Sequence, residues 1–266
     1  MKPHCCLLLL MTSLSVALAA EEAASQPKKI LMVGNSMTYT YGLPEMLAQL
    51  AASKGRELKV ESHVMGGKAL KWHLTEGPKG QLARDRILQG GYDTIILQDG
   101  ARSLQRPGGS DEMEAAVGEF DKIIREAGSR MFLYATLVRS PHPTQKSVDR
   151  VMDTHTRLAQ QYHVPCAPVA LAFQRFASLH GEIALLDDET AKRYALNQKG
   201  THPSPFGSYL AACTLYSALF DQSPEGSTYR HLPTGTEISA EDAALAQKIA
   251  WETWKDYQPT ITTQTH

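Results

Sequence analysis

Short apolar runs alternate with longer stretches of helical periodicity along this chain, and that alternation constrains its fold more than any other feature. Ile30-Leu31-Met32-Val33 is an apolar run stopped by Gly34 and reads as a buried strand. Pro44 then opens a helical stretch, Glu45 to Lys54, with Met46, Leu47 and Leu50 on one face and Gly55 as its stop. The same unit recurs: strands at Leu58 to Val64, Thr94 to Gln98, Met131 to Leu137 and Pro165 to Val169, with helices at Lys79 to Gln89, Asp111 to Ala127 and Lys146 to Tyr162. Crossovers of this length imply a mostly parallel sheet with helices on both faces. The expected fold is therefore α/β, a flavodoxin-like three-layer α/β/α sandwich, formed as one domain over residues 28–258. In such sheets the ligand site lies at the carboxyl ends of the strands, so the loops beginning at Gly34, Gly66, Gln98 and Val138 should converge there.

Past Ala170 the pattern becomes a helix, an irregular stretch from Gly181 to Thr201 and a strongly apolar helix from Phe206 to Phe220. Ser239-Ala-Glu-Asp242 resembles a capping box, with Asp in the Glu/Gln place, and opens a last helix to about Tyr257. Its Ala244, Leu245, Ile249 and Trp251 are expected to pack on the domain.

The 266 residues carry a formal net charge of -1 and no dense Lys/Arg cluster, which argues against nucleic acid as a partner. Residues 1–20 combine the basic Lys2, an apolar run from Cys5 towards Leu18 and the small-residue triplet Ala17-Leu18-Ala19, the pattern of a secretory signal peptide. That run is short of the roughly 20 apolar residues a spanning helix needs, so the expectation is export to the periplasm or extracellular space, with no membrane span after removal. Removal leaves Cys166 and Cys213, which read either as a pair or as two buried free thiols.

Two residues at opposite ends of the pattern could do chemistry together. Gly34-Asn35-Ser36-Met37-Thr38 follows the first strand and places a hydroxyl at the carboxyl edge of the sheet. Gly200-Thr201-His202-Pro203-Ser204-Pro205-Phe206-Gly207 places an imidazole just before a helix, where it can serve as the base a nucleophilic serine needs. A Gly-x-Ser turn can equally cap a helix or hold a phosphate, but the Walker lysine and the GxGxxG glycines are absent. GNSMT resembles the first block of the SGNH (GDSL-like) hydrolases, and THPSPFGSYLAA is similar to their histidine block, with Leu196 to His202 fitting its spacing. The resemblance runs from about Lys28 to Phe220 and implies Ser36 as nucleophile and His202 as general base and acid. Serine early and histidine late, without a mid-chain Gly-x-Ser-x-Gly elbow, separates the chain from the α/β-hydrolases.

The resemblance also implies an oxyanion site made by the amide of Ser36, by Gly67 of Val64-Met65-Gly66-Gly67-Lys68, and by a side-chain donor of the third block. Here the chain departs from the family. The third block reads Leu97-Gln98-Asp99-Gly100, leaving Gln98 as the available side-chain amide, and Lys199 replaces the family's aspartate three residues before His202. Asp188, beside Asp187, or a backbone carbonyl would then orient the His202 ring. Trp72-His73, Arg102 and Arg139 fall near the strand-end loops, where they could contact a sugar or an acidic group, though each reads first as surface. His142, His155, His163 and His180 lack HExxH or carboxylate spacing, so neither a metal nor another cofactor is expected. The combined expectation is an exported esterase for small acyl, foremost acetyl, esters, with an acylated carbohydrate favoured as substrate. The rival is a carbohydrate-binding protein that keeps the fold without catalysis.

Overall fold

The computed structural model describes residues 28–100, 104–136, 145–179 and 202–257. The chain runs β1 (Lys29–Gly34), α1 (Ser36–Tyr39), α2 (Leu43–Ser53), β2 (Lys59–Val64), α3 (Leu70–Thr75), α4 (Ala83–Gly90), β3 (Thr94–Leu97), α5 (Gly109–Glu126), β4 (Arg130–Tyr134), α6 (Gln145–Tyr162), β5 (Cys166–Ala167), α7 (Val169–Leu179), α8 (Pro205–Phe220) and α9 (Ala240–Tyr257). The five strands form one parallel sheet in the order β2-β1-β3-β4-β5. The order in which strands are added therefore reverses beside β1, the switch point at which such sheets place a ligand site.

Alternation along β1 divides the core. Ile30 and Met32 face a cluster built with α2, α7, α8 and α9, while Leu31 and Val33 face one built with α3, α4, α5 and α6. Helix α8 is buried along almost its whole length, from Phe206 to Ala218 and again at Phe220, and packs against α2, α7 and α9. A helix that is apolar all round is a buried one, and this one lies at the centre of the first layer. Its α9 neighbour is tied to it by Gln247, whose amide donates to the Tyr209 hydroxyl at 2.9 Å.

Several boundaries differ from the sequence reading. Pro78–Gly80 forms a short 3-10 turn with Lys79 at φ 52°, and α4 starts only at Ala83. The strand expected over Pro165 to Val169 shrinks to Cys166–Ala167, because the Pro168 carbonyl already accepts from Leu171 and Ala172 and so opens α7. On α9 the buried face is Ala243, Ala246, Ile249, Ala250 and Trp254, with Leu245 and Trp251 half-buried and Ala244 exposed. At its start Ser239 Oγ accepts from the Asp242 amide at 3.0 Å, the contact the capping-box reading expects of the serine. Cys166 and Cys213 are both free and buried, and burial pushes the Cys166 thiol up to about 12. Residues 1–20 lie outside the described residues, among which no helix is long and apolar enough to cross a membrane.

Candidate active site

The chain between β1 and α1 turns so tightly that side chains become structural at once. Asn35 is extended (φ −122°, ψ −154°) and caps α1, its Oδ1 accepting from the Met37 amide at 3.1 Å. This places Ser36 at the first helical position, only 8 % exposed. Gln98, at the end of β3, braces the turn from beneath, its Oε1 accepting from the Asn35 amide at 2.9 Å and from Thr38 Oγ1 at 2.8 Å. Gly34 is required by that brace, since a Cβ there would stand 2.6 Å from Gln98 Oε1.

The second block is bound to the same turn on both sides of its glycines. Met65 donates its amide to the Gly34 carbonyl at 3.1 Å, and Asn35 Nδ2 donates to the Lys68 carbonyl at 3.0 Å. Gly67 lies between these ties at φ 74°, exposed, a backbone conformation that favours glycine. No hydrogen bond from the Ser36 or the Gly67 amide is seen among the described residues.

Behind this loop lie two histidines. His63 of β2 pairs in register with Val33, and His73 of α3 sits with its ring centroid 5.2 Å from that of His63. Burial holds both rings down to about 4, with the Arg86 cation adding to the effect on His63 and the neighbouring His63 ring adding to that on His73. Both are neutral at pH 7. His73 is thus not the surface residue the sequence reading took it for. It belongs to a short helix that reading missed, although Leu70, His73 and Leu74 at helical spacing carried the signal.

His202 arrives from the other end of the chain. Ser204 caps α8, its Oγ accepting from the Gly207 amide at 3.0 Å, and Pro205 occupies the first helical position. This holds the preceding residue at the carboxyl edge of the sheet, where His202 Nε2 stands 2.9 Å from Ser36 Oγ across 166 positions of sequence. With the ring proton on Nδ1, Nε2 can accept the serine proton, the contact a nucleophile and its base require.

The other expected site residues fare differently. The structure does not bring Gln98 forward as an oxyanion donor: it is fully buried and its Nε2 donates to the Asp99 carbonyl at 2.7 Å. The turn uses its amide as a brace, a role the residue type alone does not disclose. Asp187, Asp188, Lys199, Arg102, Arg139, His142 and His180 lie outside the described residues. Among the described residues no three His, Cys, Asp or Glu side chains cluster as metal ligands. A groove of about 930 Å³ between the first turns of α5 and α6, lined by Arg106, Lys146 and Asp149 among others, includes neither Ser36 nor His202.

Comparison with known proteins points the same way for the fold. No protein-family model and no curated protein matches the sequence. Among solved structures, the chain is similar to a candidate SGNH hydrolase from Slackia heliotrinireducens, at 25% identity and a TM-score of 0.56 over 72% of this chain and 98% of that one. It is also similar to a DUF4886 family protein from Bacteroides uniformis, at 17% identity and a TM-score of 0.66 over 88% and 96% of the two chains. A third likeness is to an acetylxylan esterase from Geobacillus stearothermophilus, at 13% identity and a TM-score of 0.55 over 73% and 94%. With its five-stranded parallel sheet and flanking helices, this chain has the SGNH (GDSL-like) hydrolase fold.

Proposed function

We propose that this protein is an exported serine esterase that hydrolyses small acyl esters, foremost acetyl esters carried on carbohydrate. The observation that carries the reading is the 2.9 Å approach of His202 Nε2 to Ser36 Oγ. Ser36 Oγ attacks the ester carbonyl while Nε2 takes its proton, and the carbonyl oxygen gains negative charge facing the amides of Ser36 and Gly67. Collapse of the tetrahedral adduct breaks the bond to the leaving alcohol, which receives the proton from Nε2 and departs, leaving an acyl-serine. Water then repeats the sequence, giving up a proton to Nε2, and the adduct collapses to free acid and Ser36 hydroxyl. Asp188 or a backbone carbonyl is proposed to orient the ring. The carbohydrate carrier draws support from the acetylxylan esterases among the structural likenesses. Export draws support from the pattern of residues 1–20.

Hydrolysis of vinyl acetate by the protein, beside folded Ser36→Ala and His202→Ala variants, tests the reading. Turnover by the parent with a fall of at least about 10²-fold in both variants is expected. A second reading, carbohydrate binding without catalysis, is favoured by the full burial of Gln98 with its Nε2 bonded to Asp99, since a missing side-chain oxyanion donor costs about 3 kcal/mol in comparable sites. Equal background rates in all three proteins would make that reading the leading one. Asp188→Asn within twofold of the parent would remove the carboxylate from the scheme.

A further inference from the structure

We infer that Tyr39 is a stacking platform for the pyranose ring of an acetylated sugar, holding the leaving group beside Ser36. The inference rests on the esterase reading above and names a residue that would give it carbohydrate specificity. Sixty hydrophobic side chains have gone into the core, yet Tyr39 keeps 43% of its surface exposed, the one large hydrophobic side chain exposed among the described residues. It stands at the end of α1, three residues after Ser36, a spacing that sets two side chains on one face of a helix. Its hydroxyl lies against the second block, since a Cβ on Gly66 would come within 2.9 Å of it. The phenol therefore reaches from the helix of the nucleophile to the loop of Gly67, with ring surface open to solvent.

The backbone after Tyr39 keeps it outside. Tyr41 adopts φ 54°, ψ 21° and Gly42 φ 75°, two successive left-handed residues of which the first is rare for an L side chain. Strained conformations of this kind persist where the surroundings over-determine them, often at functional sites. Here the reversal packs Tyr41 on the core and leaves Tyr39 at the rim of the site. Trp72, on the other flank of the loop, is half-buried and covered, with Lys68 Nζ 5.1 Å from its ring centroid and its indole N–H donating to Glu76. Tyr39 is the open ring.

The surroundings select the ligand class. Gly66, against the Tyr39 hydroxyl, and the Gly67 and Lys68 that follow it are exposed. No second exposed large apolar side chain adjoins it among the described residues to extend a track for an acyl chain. One aromatic face amid polar neighbours matches a pyranose, whose C–H face is apolar and whose rim accepts and donates hydrogen bonds.

Binding of xylose tetraacetate to the non-hydrolysing Ser36→Ala protein, followed by NMR titration, tests the platform independently of turnover. Adding Tyr39→Ala should raise Kd about tenfold, and adding Tyr39→Phe should leave it within twofold. No binding, or equal affinity in all three proteins, overturns the inference, as does a Phe variant as weak as the Ala variant. In the active protein, kcat/KM for xylose tetraacetate relative to vinyl acetate should fall about tenfold in Tyr39→Ala. A fall for vinyl octanoate relative to vinyl acetate, with the sugar ratio intact, would assign the ring to the acyl chain and overturn the sugar platform. Failure of the parent to hydrolyse vinyl acetate would count against the esterase reading, while the NMR titration would still decide the platform.

Discussion

Ser36 and His202 meet at one edge of the sheet but are held there by different physics. The Ser36 turn is fixed by polar contacts among Asn35, Thr38, Gln98, Met65 and Lys68, each satisfying a named donor. The His202 segment leads through the Ser204 cap into α8, whose place is set mainly by apolar contacts along its length, with Tyr209 hydrogen-bonded to Gln247 and Tyr229. Hydrogen bonds depend steeply on direction and distance, so the first arrangement fixes the turn that carries the nucleophile. Close packing sets the position of a whole helix, and the base inherits its place from the helix end.

Acid should break the serine half. His63 and His73 take up protons near 6.5 in the unfolded chain but only near 4 when folded. Their contribution is therefore complete above pH 6.5 and is lost as pH falls towards 4, by about 2 kcal/mol per ring between pH 7 and 4.5. Urea unfolding at the two pH values measures it, and His73→Leu should flatten the difference. An unchanged unfolding free energy would show that the two rings are not held neutral.

The packing half predicts a loss of similar size from one side chain. Phe206 is 3 % exposed, with its ring centroid 4.9 Å from that of Phe176. Phe206→Ala should cost about 3–5 kcal/mol of unfolding free energy. A cost under about 1 kcal/mol would mean that α8 is held by something other than its core face.

Gln98→Leu sharpens the contrast, because it strands the Asn35 amide and the Thr38 hydroxyl together. About 2 kcal/mol of stability should go, and ester turnover should fall at least about tenfold, more than for Phe206→Ala assayed where both remain folded. The smallest effect is expected for Ser204→Ala, which removes the cap of α8 at about 1 kcal/mol. Thermal unfolding resolves it, and a larger turnover loss than for Gln98→Leu would reverse the assignment of the two halves.

Much of this was legible in the sequence where the signal was local. Gly34 ended the first strand, the block around His202 stood just before an apolar helix, and the two blocks around Ser36 and His202 marked the ends of the site. Residues whose roles lie in remote partners were misread. His73 looked like surface because its burial depends on β2, and Gln98 looked like an oxyanion donor because its residue type does not reveal that it is buried with its Nε2 donating to the Asp99 carbonyl. Tyr39 carried no mark at all until Gly66 was found against its hydroxyl.

The sequence by itself determined the order of the five strands and the longer helices, the parallel sheet that crossovers of that length impose, and the chemical identity of the serine and histidine. Periodicity and turn residues report which way each element faces, and those are properties of neighbours along the chain. The tertiary structure alone decided that Ser36 and His202 stand 2.9 Å apart, that Gln98 braces and does not donate to substrate, and that Tyr39 faces solvent beside the nucleophile. Those facts depend on sheet order and on the packing of α8, which bring together segments that no local pattern connects.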